Sequence, residues 1–266
     1  MKKILLVAIA CIIIGVIGIS QTYTKAVDAV EKGDKEKVIT NETIKSLDVK
    51  LDAGDIIVQK SQDSSFYVKQ SGDLKRQKVS IAEDGETLKV QGEVEKGISL
   101  DFSFLSFGLK TPTLTVVVPE RVYKELKINS SAGKIEVNEV KSDYVSVGTL
   151  GGDVDLERIT AKKVEGSSEA GAVKLKKVIG KVIAQTTSGD VDVIDHDSKY
   201  DVEASSTAGD VDIRLLEKPQ DAVITGKTFA GKVRIFNEEN RDMKIGNGDV
   251  KISGKTSAGD VTIEAD

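Results

Sequence analysis

The sequence predicts an all-β protein, a parallel β-helix or β-roll-like solenoid preceded by one N-terminal transmembrane helix. Three observations carry this. First, one turn-and-strand phrase keeps returning: SSAGKIEV at 130–137, LGGDVDL at 150–156, TTSGDVDV at 186–193, SSTAGDVDI at 205–213 and TSAGDVTI at 256–263. Second, the phrases register on Gly54, Gly133, Gly152, Gly171, Gly189, Gly209, Gly231 and Gly259, with steps of 19, 19, 18, 20 and 22 residues from 133 to 231. A repeat of this length marks a stacked architecture. Third, Val, Ile, Gly, Ser and Thr carry the repeat pattern and there is no Trp, which suits stacked strands better than helices. A β-sandwich of hairpins is the alternative, but inward columns that hold over near-equal steps favour stacking.

The chain opens with Lys2 and Lys3, then sixteen uncharged residues from Ile4 to Ile19. That is close to the roughly 17–25 residues of a bilayer span, and the preceding charges orient the N-terminus inside. Residues 1–23 are therefore expected to be a membrane anchor, embedded through residues 4–20, with everything after them extracytoplasmic. Secretion after cleavage near Ala26 is an alternative, and lipidation of Cys11, the only cysteine, is a third. Residues 24–45 are highly charged and predict a tether. Residues 46–266 form the repeat domain. The net charge of −5 offers no basic face for nucleic acid. No cofactor site and no intrachain disulfide framework is marked.

Alignment on the glycines gives each position a role. Two residues after them stand Ile56, Ile135, Val154, Val173, Val191, Val211, Val233 and Val261; seven before stand Leu47, Leu126, Val145, Val164, Val182, Val202, Ile224 and Ile252. This is a period-two pattern with one aliphatic face. Three before the glycine come Ser130, Thr149, Ser168, Thr186, Ser206, Thr228 and Thr256. By parity these point inward, where a hydroxyl needs a partner; stacked hydroxyls can satisfy one another or cap a neighbouring turn carbonyl. Gly248 reads as a shifted ninth copy. Each repeat is then strand, tight turn, strand and a variable connection, about two strands per coil.

The stretch 60–125 departs from the repeat. It reads as ordinary strands with a hairpin at Asp84-Gly85, an insert that widens or caps the N-terminal end of the stack.

Asp follows the glycine at 55, 153, 190, 210, 249 and 260. Turn chemistry explains this column, because Gly supplies a positive φ and Asp accepts a backbone N–H. A calcium-stabilised β-roll is a lesser reading, with Asp190, Asp192, Asp210 and Asp212 as its cluster, but Lys134, Ala172 and Lys232 break the column. His196, the only histidine, is flanked by Asp195 and Asp197 and reads as part of a solvated loop. No catalytic residues are marked. The segment GISLDFSFLSFGL at 97–109 holds Phe102, Phe104 and Phe107. It is either one buried strand face or an apolar contact for a partner or membrane.

The repeated SAGDV and TSGDV units, the opening LDVKLDAGDIIVQKS and the stretch LTVVVPERVYKELKINSSAGKIEV resemble the bacterial DUF4097 family over roughly 44–266. Members of that family carry a β-strand-repeat domain assigned provisionally to adhesion. The anchor followed by such a domain is also similar to membrane-linked accessory proteins of Lia-type cell-envelope-stress operons in Gram-positive bacteria. The resemblance implies a β-solenoid-like fold outside the membrane and brings no catalytic residues. The expected function is a non-enzymatic interaction or structural module that contacts a membrane or envelope protein and serves in envelope stress response or maintenance. Surface adhesion to polysaccharide or protein is the alternative.

Overall fold

The computed structural model describes residues 35–72, 77–94 and 112–266. These contain no helix, and their strands form two sheets of eleven strands each. Residues 1–23, where an anchor is expected, and Phe102, Phe104 and Phe107 lie outside the described residues, and no described helix is long and apolar enough to cross a membrane.

In chain order, β1 (Lys35–Ile39) comes first, followed by a coil of two strands, β2 (Ser46–Leu51) and β3 (Asp55–Lys60). Two further strands follow, β4 (Phe66–Ser71) and β5 (Gln77–Asp84), then coil 2 of β6 (Thr87–Val94) and β7 (Thr113–Val118). Coils 3 to 6 are β8 (Val122–Ala132) with β9 (Ile135–Asn138), β10 (Lys141–Gly151) with β11 (Val154–Glu157), β12 (Thr160–Ala170) with β13 (Val173–Lys176), and β14 (Ile179–Ser188) with β15 (Val191–His196). Coil 7 is β16 (Val202–Ala208) with β17 (Val211–Leu215), and coil 8 is β18 (Ala222–Ala230) with β19 (Val233–Ile235). After β20 (Asp242–Ile245) the chain closes with coil 9, β21 (Val250–Ala258) and β22 (Val261–Ala265). The first strand of every coil joins one sheet, which we call the long-strand sheet, and the second joins the short-strand sheet.

Successive coils pair in parallel and in the register of the glycine alignment: Val145 faces Leu126 and Val164, and Val154 faces Ile135 and Val173. Parallel ladders rule out the sandwich of hairpins, because hairpin neighbours would run antiparallel. The columns two after and seven before the glycine are buried throughout, giving one continuous apolar core between the sheets.

Stacking does not follow chain order at either end. The order is coil 2, coil 1, coils 3 to 7, coil 9, coil 8. Coil 1 is inserted between coils 2 and 3, and coil 9 between coils 7 and 8. Antiparallel strands close the ends. β4 and β1 cover β7, β5 covers β6 through a hairpin turning at Gly85 and Glu86, and β20 covers part of β18.

Two expectations are corrected. The tether assigned to 24–45 stops earlier, because β1 pairs with β4 and both Ile39 and Ile44 are buried; dense Lys and Glu around a five-residue strand hid its pattern. Gly248 heads no coil. It sits in the turn before β21, where its N–H and that of Asp249 donate to Asp221 Oδ1.

Candidate interaction surface

The glycine corners are built by close approach. Gly54, Gly133, Gly152, Gly171, Gly189, Gly209, Gly231 and Gly259 have φ between 110° and 155°, a region that disfavours side chains. A Cβ on Gly133 would also lie 2.1 Å from Gly54 O, and one on Gly209 2.0 Å from Gly189 O. Glycine therefore stacks directly on glycine, and the short contact leaves each glycine carbonyl reachable from the next coil. Ser168, Thr186, Ser206 and Thr256 donate to the carbonyls of Gly152, Gly171, Gly189 and Gly209, each at 2.8 Å. Thr149 reaches Gly133 O at 3.3 Å, and the half-buried Thr228 reaches Gly259 O at 2.8 Å. The hydroxyl column thus caps turn carbonyls rather than bonding to itself. Ser130 is the exception, buried with no partner for its Oγ.

The Asp column runs beside it. Asp55, Asp153, Asp190, Asp210 and Asp260 each accept, through Oδ1, the N–H of the equivalent residue in the next coil of the stack. Asp190 and Asp210 of the four acids considered for calcium are therefore turned along the stack onto backbone. Asp192 and Asp212 face outward side by side on β15 and β17. Partial burial and then the neighbouring Asp212 hold the Asp192 carboxyl above its ordinary range, opposed by Lys174 and Arg214. Among the described residues no group of three or more His, Cys, Asp or Glu is arranged to hold a metal ion.

The outer faces differ in character. On the short-strand sheet acidic and basic side chains are mixed, and Lys134 bridges Asp155 of the next coil at 2.7 Å and Glu136 of its own coil at 2.8 Å. Those carboxylates hold the Lys134 ammonium well above its usual range. A shallow groove there is lined by Gln59, Glu136, Asn138, Asp155 and Lys174. On the long-strand sheet a broader depression lies over Gly148, lined by Lys50, Gln91, Asn129, Leu150 and Ser167. Neither groove has a histidine or cysteine in its lining.

His196 is not in a solvated loop. It is fully buried, in the second-corner column otherwise held by Val140, Ile159 and Val178, seven residues after the coil glycine. Neither ring nitrogen makes a well-formed hydrogen bond. Burial pushes its pKa down, against the backbone of Tyr200 and Val178 and the Asp197 carboxylate, which favour the charged ring. The missed signal was its place in the alignment; the flanking Asp residues suggested water.

At the N-terminal end, Phe66 and Tyr123 meet edge to face at 6.2 Å, with the Arg121 guanidinium 5.4 Å from the Phe66 ring. Tyr123 donates to Pro119 O at 2.9 Å. In coil 2, β6 ends at Val94 and β7 begins at Thr113, so the described strands on either side of the 97–109 segment both lie at this end of the stack. β1 lies at the same end.

The profile of the Toastrack DUF4097 family matches residues 44–179 and again 123–264. The fold is similar to a candidate adhesin from Bacteroides fragilis, with a TM-score of 0.55 at 16% identity over 87% of this chain and 97% of that one. It also aligns with a candidate cell adhesion protein from Clostridium sporogenes, with a TM-score of 0.42 at 11% identity over 88% and 99% of the two chains. No curated protein matches the sequence.

Proposed function

We propose, on the premise that the chain belongs to the Toastrack DUF4097 family, that it is a non-enzymatic interaction module held at the outer side of the cytoplasmic membrane. Residues 4–20 anchor it, and the solenoid engages a membrane or envelope protein as an accessory of envelope stress response or maintenance. One observation carries this reading. The strand nearest the apolar N-terminal segment, β1, and both attachment points of the 97–109 segment share one end of the stack. An anchor at residues 4–20 turns that end toward the membrane and brings Phe102, Phe104 and Phe107 within reach of a membrane-embedded partner. The Lys134 ion pairs on the short-strand sheet and carboxylates committed to backbone suit a scaffold.

The test is crosslinking in intact cells, comparing wild type with Phe102→Ser/Phe104→Ser/Phe107→Ser. We expect a membrane protein to be captured by wild type and lost in the triple variant, with the melting temperature unchanged. A lower melting temperature would make the three Phe core residues. Capture of wall polymer alone would favour the second reading, surface adhesion, which the likeness to a candidate adhesin fold supports.

A further inference from the structure

The stack ends at coil 8, and the glycine corner there differs from the corners inside it. Within the stack the corner N–H groups are used by the next coil. Gly209 donates to Ala258 O at 2.9 Å and Gly259 to Ala230 O at 3.0 Å; Val211 donates to Asp260 O at 2.9 Å and Val261 to Lys232 O at 2.8 Å. Among the described residues no coil lies beyond coil 8. β20 covers Ala222–Thr225, the Arg241 carbonyl just before it accepts the Gly226 N–H, and Glu238 pairs with Ile235 on the other flank. Between these covers, the N–H groups of Gly231 and Val233 face outward.

The side chains at this corner also break the pattern of the repeat. Lys232 stands where Asp190, Asp210 and Asp260 stand in the coils beneath it. Lys227, Lys232 and Arg234 are exposed, and among the described residues none has an ion-pair partner. Asp260, the nearest acid in register, is turned onto the Lys232 N–H at 2.7 Å. Lys255 lies beside Lys227, paired only with Glu203 at 3.8 Å. Phe229 is 95% exposed, in a column that holds Thr187, Thr207 and Ser257 in coils 6, 7 and 9. Lysines alone could be read as guards against edge-to-edge pairing. A fully exposed Phe on the same edge does the reverse, so guarding does not account for the group.

We propose that this corner binds an anionic glycan polymer, a chain of sugars bearing carboxylate or phosphate groups. The cations and the two free N–H groups take the anionic oxygens, and Phe229 offers a flat apolar face to a sugar ring. The cations lie on both outer faces around the corner, which fits a polymer draped over the edge better than a single small ion. A lipid surface fits less well: with strands ~4.8 Å apart, the corner lies about 40 Å from the opposite end of the stack, where β1 enters. The inference concerns a different surface from the partner contact proposed above and stands without it; only the argument against a lipid surface rests on the anchor proposed there.

The test uses the purified full-length chain in detergent against immobilised alginate, neutral dextran, inorganic polyphosphate and glycerophosphoglycerol, the headgroup of phosphatidylglycerol. We expect salt-sensitive binding to alginate, little to dextran, and about tenfold weaker binding by Lys232→Gln/Arg234→Gln. Phe229→Ser should weaken binding to alginate but not to polyphosphate, which has no sugar ring. All the replaced side chains are exposed, so melting temperatures should match wild type. Equal alginate binding by wild type and the double variant would overturn the proposal. So would binding to the lipid headgroup alone, or self-association abolished by Phe229→Ser with no polymer bound.

Discussion

A single imidazole sits where the fold otherwise places aliphatic side chains. His196 pairs in register with Leu215 on β17, shares the column of Val178, and its own carbonyl accepts the Leu216 N–H at 2.9 Å. A buried ring without a well-formed hydrogen bond resists protonation, because the charged form loses water and gains little in return. Its pKa in the fold therefore lies below the ordinary 6.5. The sign follows from proton linkage: the unfolded chain binds the proton more readily, so stability is full above the unfolded value and falls as pH drops through it. Asp192, with a raised pKa, contributes with the opposite sign and in the lower, carboxylate range. Wild type should thus lose melting temperature between about pH 7 and pH 5, and His196→Leu, which matches the aliphatic column, should lose much less. Equal slopes for the two proteins would show that the imidazole finds a proton acceptor in the fold.

At the level of elements, the two strands of a coil fit each other by size. The position five before the corner glycine packs across the core against the residue two after it, and in stack order it runs Val49, Ile128, Val147, Gly166, Ala184, Ala204, Gly254, Gly226. The room available falls at the C-terminal end. A Cβ on Gly166 would meet Val173 Cγ1 at 3.2 Å, on Gly254 it would meet Val261 Cγ1 at 2.7 Å, and on Gly226 it would meet Val233 Cγ1 at 2.3 Å. Gly226→Ala should therefore cost about 1–3 kcal/mol through overpacking, read by denaturant melts. Gly166→Ala should be near neutral, since a strand glycine also carries an entropic penalty that Ala relieves. Adding Val233→Ala to Gly226→Ala should recover part of the loss; no recovery would place the strain elsewhere. This level of the fold was the most legible in the sequence, because a period-two face and a glycine at constant offset specify strand, corner and strand locally. His196 was not legible by local reading, since its two Asp neighbours point to water and only the column shows it to be core. The partners of the inward hydroxyls were half legible: parity places them inside, but the acceptor depends on the glycine-on-glycine approach of adjacent coils.

At the scale of the whole molecule, the exchanged order of the terminal coils was hidden from sequence reading. Every coil presents much the same pattern of N–H, C=O and aliphatic groups to its neighbours, so the repeat does not say which coil stacks on which. The exchange has a consequence for unfolding. In a solenoid stacked in chain order, the last repeat is an end and removing it exposes only one neighbour. Here the last coil in the chain lies inside the stack: β21 pairs with both β16 and β18, and β22 with both β17 and β19. Coil 8 meets the rest of the parallel stack only through coil 9, its remaining strand pairing being with β20. A chain ending at Asn247 should therefore lose native order in two coils, not one. Amide exchange should show residues 222–235 unprotected in the truncated chain, while coils 3 to 6 keep the slow exchange of a packed core. The competing outcome is physically reasonable, because β18 and β19 carry the same columns as β21 and β22 and could close onto β16 and β17. Protection of 222–235 in the truncated chain would show that the coils are interchangeable and that the native order depends on the β20 cap and its turn at Asp221, not on a preference between coil faces.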